Sequence, residues 1–83
     1  MKQVKVYSTS YCPYCIKAKQ LLKSKNIPFQ EMDLTNDLEL REKISGQTGH
    51  QTVPMIFIGD KFIGGFDNLN ALNQNGELDT LIA

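Results

Sequence analysis

The chain has 83 residues, nine basic and nine acidic side chains, and an ordinary apolar content of 41%. That length supports one modest core and no second one, the composition is not that of a disordered chain, and no charge-free apolar run approaches the ~18 residues of a membrane span. A formal net charge of zero with few aromatics among the lysines argues against nucleic-acid binding.

Val4-Lys5-Val6-Tyr7 alternates and is rich in β-formers, which predicts a first strand over about 3–8. Met1-Lys2-Gln3 leads into it without an apolar leader or cleavage site, so a cytoplasmic setting is expected. Ser8 to Tyr11 is a polar loop. A helix is predicted from Pro13 to about Lys25, ending near Asn26 before Pro28, with Cys15, Ala18, Leu21 and Leu22 on its inward face. Phe29 to Asp33 alternates again and reads as a second strand, so the first three elements make a βαβ unit with parallel strands and a right-handed crossover. Thr35 or Asn36 is the expected cap of a second helix over about 37–46, carrying Leu38, Leu40 or Arg41, and Ile44. Gly46 to Gly49 reads as a breaker. Met55-Ile56-Phe57-Ile58, after Thr52-Val53-Pro54, is a buried third strand. Gly59-Asp60 turns it into a fourth, Lys61-Phe62-Ile63, as a hairpin. Gly64-Gly65 ends that strand. A third helix runs from Asp67 to about Asn75 with Leu69 and Leu72 inward, Gly76 stops it, and a last turn near Leu78–Ile82 packs Leu81 and Ile82 on the sheet. With no linker or repeat, residues 1–83 are expected to form one domain.

The chemistry concentrates in Cys12-Pro13-Tyr14-Cys15, which holds the only two cysteines of the chain at a strand-to-helix junction. Pro13 suits the first helical position, because its missing N–H would lack an intrahelical partner anyway. Cys12 then falls at the N-cap, where its sulfur can accept from the N–H groups of Tyr14 and Cys15 and feels the positive end of the helix dipole. Cysteines in such places have pKa values of roughly 3.5–7.5, against about 8.5 for a free thiol. Added thiolate fraction and lost nucleophilicity nearly cancel. The net gain is that a low-pKa thiolate leaves quickly when a second thiol attacks its mixed disulfide. Cys15, one turn in, is expected to be less exposed and to hold its proton longer. A structural disulfide across so short a loop would staple little. A zinc site lacks ligands, since there is no second cysteine pair and only one distant histidine, His50.

Charge is split along the chain. Lys2, Lys5, Lys17, Lys19, Lys23 and Lys25 precede every carboxylate, the first of which is Glu31. A solvated helix face explains this, and so does a positive field near Cys12 that draws anionic substrates.

The order βαβαββα, with Cys12-Pro13-Tyr14-Cys15 after the first strand, Thr52-Val53-Pro54 before the third and Gly64-Gly65-Phe66-Asp67 after the fourth, resembles the glutaredoxins over essentially the whole chain, nearest the small bacterial-type dithiol members. The resemblance implies an α/β thioredoxin fold, a four-stranded mixed sheet in order 2-1-3-4 flanked by helices, with Pro54 in cis. It implies a glutathione-dependent thiol–disulfide oxidoreductase in which Cys12 is the nucleophile and Cys15 the resolving thiol, and glutathione is the reducing co-substrate. No metal is expected. Disulfide-bearing or glutathionylated proteins would be the partners, ribonucleotide reductase among them by family analogy, and the protein would act as a monomer.

For glutathione, the resemblance assigns Val53, with Thr52 and Pro54, to main-chain pairing with the tripeptide as an added strand. Gly64 and Gly65 leave room for close approach. The N–H groups at Asp67 and Asn68 would hold the γ-glutamyl carboxylate, and the Asp67 side chain its ammonium. Tyr14 would flank the sulfur. Two positions depart from the family pattern: Thr9 stands where many members carry a glycyl-binding lysine, and His50 where an Arg or Gln is usual. Glycyl-end binding is therefore expected to rest on His50, Gln51 and Lys17, with either weaker glutathione affinity or a less depressed Cys12 pKa than the family norm. Phe66, where a small polar residue is common, is expected to pack in the core or at the rim, and Tyr11 and Tyr14 to wall the groove. Two other readings stand beside this one. A glutaredoxin-like redoxin would take electrons from thioredoxin reductase, as Thr9 favours. A [2Fe–2S]-binding dimer is a further role in the family, against which Pro13 argues.

Overall fold

The computed structural model describes residues 2–83; Met1, included above in the reading of the start of the chain, lies outside them. The elements in chain order are β1 (Val4–Ser8), α1 (Pro13–Ser24), β2 (Phe29–Asp33), α2 (Leu38–Thr48), β3 (Met55–Ile58), β4 (Lys61–Gly64), α3 (Phe66–Gln74) and α4 (Glu77–Ile82). The strands form one mixed sheet in the order β2-β1-β3-β4. β1 runs parallel to β2, with Val4 opposite Phe29, and antiparallel to β3, with Val4 opposite Ile58. The thioredoxin-type order 2-1-3-4 is thus present, and the Val53–Pro54 peptide bond is cis.

Alternation along the strands builds two layers of core. Val4, Val6, Ile56 and Ile58 point to one face, where Ala18 and Leu22 of α1, Leu69 of α3, and Leu78 and Ile82 of α4 cover them. The residues between them point to the other face: Tyr7, Phe57 and Phe62 gather there with Leu34, Met55 and Ile44 of α2. A one-residue slip would exchange the two sets, so the register is strongly specified. Each fully buried Leu or Ile contributes about 1.5–3 kcal/mol relative to exposure.

α2 departs from expectation at both ends. Asp37, not Thr35 or Asn36, caps it, its carboxylate accepting from Leu40 N–H at 3.1 Å. Thr35 is engaged elsewhere: its hydroxyl donates to Asp33 at 2.6 Å and accepts from the Ser10 N–H at 2.9 Å. The helix runs through Gly46 to Thr48 and stops only at Gly49, which takes the left-handed conformation with φ 73°. An isolated glycine lowers helix propensity without ending the helix, and Gly49 provides the real C-cap. Leu38 is 67% exposed. It lies six residues from the buried Ile44, about 240° round the helix, and so points away from the sheet.

Between β3 and β4 the register shifts after Ile56, which pairs with Gly64 while Phe57 pairs with Phe62. The irregularity carries Gly64 to a φ of 118°, open to glycine and strained for any other residue. It also turns the chain so that α3 starts one residue earlier than expected, at Phe66 with Gly65 as N-cap.

Candidate active site

Pro13 opens α1 and Cys12 is its N-cap, in extended conformation. The Cys12 sulfur accepts from Cys15 N–H at 3.2 Å. Only this N–H engages it; the additional bond expected from Tyr14 N–H is not made, because the first turn aims the donor three residues on at the cap side chain. The Cys12 thiol donates to the Val53 carbonyl at 3.5 Å, which ties the start of α1 to the segment before Pro54. Both cysteines are free thiols; Cys12 retains 8% exposure and Cys15 none. Burial pushes the Cys15 thiol up to about 12, helped by its contact with Cys12; the Thr9 main-chain N–H and the charge of Lys19 pull it back. The two thiols are therefore unequal, one reachable at the helix tip and the other buried and protonated.

Beside them lies an open groove of about 310 Å³, lined by Tyr14, His50, Thr52, Val53, Pro54, Gly65, Phe66, Asp67 and Asn68. It is large enough for part of a small peptide and far larger than a bound water. Three segments meet in it: the first turn of α1, the chain from α2 to β3, and the first turn of α3. Gly65 has no side chain with which to satisfy the first N–H groups of α3, and its own N–H donates to Asn68 Oδ1 at 3.3 Å. A Cβ on Gly65 would lie 3.7 Å from the Pro54 carbonyl and 3.8 Å from His50 Nε2, so the groove is narrow there.

Of the residues expected to bind glutathione, Tyr14, His50, Thr52, Val53, Pro54, Gly65, Asp67 and Asn68 come together along this groove. Gln51 is exposed outside its lining, and Thr9 is 3% exposed, with its hydroxyl buried and without a partner among the described residues. Thr9 instead faces Cys15 through its main chain. Phe66, expected to pack in the core or at the rim, packs against the first core cluster and lines the groove, stacking on Tyr14 with ring centroids 6.4 Å apart. Tyr11 is 69% exposed and stands outside the lining. Lys17 sits 5.2 Å over the Tyr14 ring, at the outer edge of the groove. Beneath α1, Lys19 bonds Glu31 at 2.7 Å and the buried Ser8 hydroxyl donates to the same carboxylate oxygen at 2.8 Å. Among the described residues no group of three or more His, Cys, Asp or Glu side chains gathers for a metal.

A family model described as glutaredoxin matches residues 4–63. The glutaredoxin of Pseudomonas aeruginosa is 46% identical over 83 residues, covering 100% of this chain and 99% of that one. Glutaredoxin 3 of Escherichia coli (strain K12) is 44% identical over 82 residues, covering 99% of each. Among solved structures, the solution structure of a glutaredoxin from Brucella melitensis superposes with a TM-score of 0.88 at 43% identity, over 99% of this chain and 89% of that one. A crystal structure of a buckwheat glutaredoxin–glutathione complex superposes with a TM-score of 0.91 at 30% identity, over 95% of this chain and 74% of that one.

Proposed function

The chain belongs to the glutaredoxin family, whose chemistry is thiol–disulfide exchange, and from that premise we propose that it is a glutathione-dependent oxidoreductase acting on protein–glutathione mixed disulfides and protein disulfides. The observation that carries this reading is the junction of Cys12 with the groove: its sulfur lies 3.5 Å from the Val53 carbonyl, on the groove wall that leads to the start of α3.

In the monothiol cycle the Cys12 thiolate attacks the glutathione sulfur of a protein–glutathione disulfide. A Cys12–glutathione disulfide forms and the protein thiolate departs and takes up a proton. A second glutathione thiolate attacks the bound glutathione sulfur, forming oxidised glutathione and returning the electron pair to Cys12. On a protein disulfide, the Cys12 thiolate attacks one sulfur, forming a mixed disulfide and releasing the first protein thiolate; Cys15, after losing its proton, attacks the Cys12 sulfur and releases the second. The Cys12–Cys15 bridge that results is reduced by two glutathiones. The tripeptide lies along the groove with Val53 pairing to its main chain, Tyr14 beside its sulfur, the start of α3 and Asp67 at its γ-glutamyl end, and His50 with Thr52 at the other. The buckwheat relative described as a glutathione complex supports glutathione as the ligand. The protein acts as one domain and one monomer in a reducing cytoplasm.

Turnover of a small glutathione mixed disulfide tests the reading, with electrons from glutathione plus glutathione reductase or from thioredoxin reductase. Glutathione-driven turnover in the wild type, falling to background in Cys12→Ser and largely retained in Cys15→Ser, is the expected pattern. Turnover with thioredoxin reductase alone would replace it with the redoxin reading.

A further inference from the structure

Cys15 is fully buried, and the other buried residues of α1, Ala18 and Leu22, are apolar. Burial in such surroundings opposes ionisation of a thiol, yet thiol–disulfide exchange needs the thiolate. Behind the sulfur lies a polar cluster that the groove does not use. Lys19 follows Cys15 by four positions, which places the two one above the other on the same side of α1. Its side chain is only 24% exposed. Instead of extending into water it reaches the sheet, where Nζ bonds Glu31 Oε2 at 2.7 Å. The same oxygen accepts from the hydroxyl of Ser8, the 1% exposed last residue of β1. The next residue, Thr9, directs its main-chain N–H at the Cys15 sulfur. Two consecutive residues thus anchor the ammonium through Glu31 and supply a donor to the thiol.

Stability alone is a poor reason for this arrangement. Holding a lysine in one geometry costs rotamer freedom, and a pair whose carboxylate side chain is 40% exposed returns little. At long range the two charges cancel. One helical turn away the cation is the member that counts: Lys19 is the cation whose charge acts on the Cys15 sulfur, and it favours the thiolate. The other titratable groups around Cys15 do not duplicate it. On α1, Cys12 opposes a second thiolate while it is itself charged, and that opposition ends once Cys12 is in a disulfide. β2 contributes Glu31, which engages Lys19, and the acid at the start of α3, Asp67, lines the groove.

We propose that Lys19, tethered to the sheet by Glu31 and Ser8, is a positioning residue for the resolving step, stabilising the Cys15 thiolate as that sulfur attacks Cys12. This rests on the reading of Cys15 as the resolving thiol and adds what makes a buried thiol competent for it. In that step Cys15 gives up its proton to solvent and its sulfur bonds to the Cys12 sulfur. The bond between Cys12 and the sulfur of the bound partner breaks, and the departing thiolate carries away the electron pair. The monothiol cycle never ionises Cys15 and so makes no demand on Lys19.

The test is stopped-flow reaction of the reduced protein with one equivalent of dithiobis(nitrobenzoate), a symmetric disulfide whose thiolate is coloured. Cys12 attack releases a first thiolate at a rate that depends on concentration. Cys15 attack on the resulting mixed disulfide releases a second at a rate that does not. Both phases are followed between about pH 7 and pH 9, around the ordinary thiol pKa. In Lys19→Met the second phase should be slower than wild type by about two- to fivefold, the range of a partly exposed charge interaction. Its pH profile should keep the same slope and move to higher pH. Lys19→Arg, which keeps the charge, should restore the wild-type profile. An unchanged second phase in Lys19→Met, or a loss that Lys19→Arg does not restore, would overturn the proposal. So would an equal loss in both phases, since loosening α1 would slow Cys12 as well. Release of the first thiolate alone in the wild type would remove Cys15 as the resolving thiol and the proposal with it. Because glutathione takes no part in this reaction, none of these outcomes bears on whether it is the reductant, which the turnover assay decides.

Discussion

Cys12 and Cys15 lie three positions apart in sequence, and of the two only Cys12 keeps any exposure, 8% against none. The helix N-cap and the proline at the first helical position were legible in the sequence, and the structure realises both. The complete burial of Cys15 and the Thr9 main-chain hydrogen bond to its sulfur were not, because both depend on how the β1–α1 loop and α1 pack on the rest of the fold. Burial, foremost, holds the Cys15 pKa above the 9.0 of an unperturbed thiol, at about 12. The folded state thus keeps a proton that the unfolded chain releases between those values. By linkage the Cys15 contribution to stability is complete below about pH 9 and is lost as pH rises toward 12. Chemical denaturation of the reduced protein at pH 8 and pH 10 should therefore show a larger loss in the wild type than in Cys15→Ala, the two variants being compared as differences across pH. Equal losses would mean that Cys15 is solvated in the folded protein.

Among the elements, the hairpin β3–β4 and helix α3 place the groove's far wall. The irregular register after Ile56 and the positive φ of Gly64 bring Asn68 so close that a Cβ on Gly64 would lie 2.7 Å from its Oδ1. Gly64→Ala is expected to cost about 1–3 kcal/mol, through strain at that backbone conformation. Moving Asn68 aside relieves the contact but breaks its bond to the Gly65 N–H, which loosens the start of α3. Thermal unfolding of Gly64→Ala, Asn68→Ala and the double variant separates the two effects: the double variant should remain destabilised beyond Asn68→Ala alone. Gly-Gly in the sequence announced a turn, but the contact that makes the first glycine necessary appears only when α3 packs behind it. The miss in α2 has a similar origin. Several polar residues before Leu38 could each cap a helix; Thr35 is withdrawn by its bonds to Asp33 and the β1–α1 loop, and Asp37 is the residue whose carboxylate reaches the Leu40 N–H.

At the scale of the whole molecule, the lysine-rich first third faces acids contributed by the rest. Lys19 pairs with Glu31, and Lys25 with Asp79 at 3.1 Å. The hydrogen bond from Lys19, with that from Ser8 beside it, holds the Glu31 carboxyl below its ordinary range. The field that remains near Cys12 is thus weaker than the lysine count suggests, with Lys17 the lysine placed at the groove edge. Focusing clefts raise association rates by about 10–10³. Here, turnover at limiting mixed disulfide should fall by less than about tenfold between low and high salt, and a steeper fall would show long-range steering. The sequence by itself determined the order of elements, the face each strand buries and the thiol pair at a helix tip, because alternation, helical spacing and the proline effect are local. It also marked most of the groove residues, through motifs that resemble one family. Only the tertiary structure decided which lysines are neutralised, that Thr9 is buried while Gln51 and Tyr11 stand outside the groove lining, and that His50 reaches Thr52. Those facts depend on segments far apart in the chain meeting across the sheet, and no local pattern encodes such a meeting.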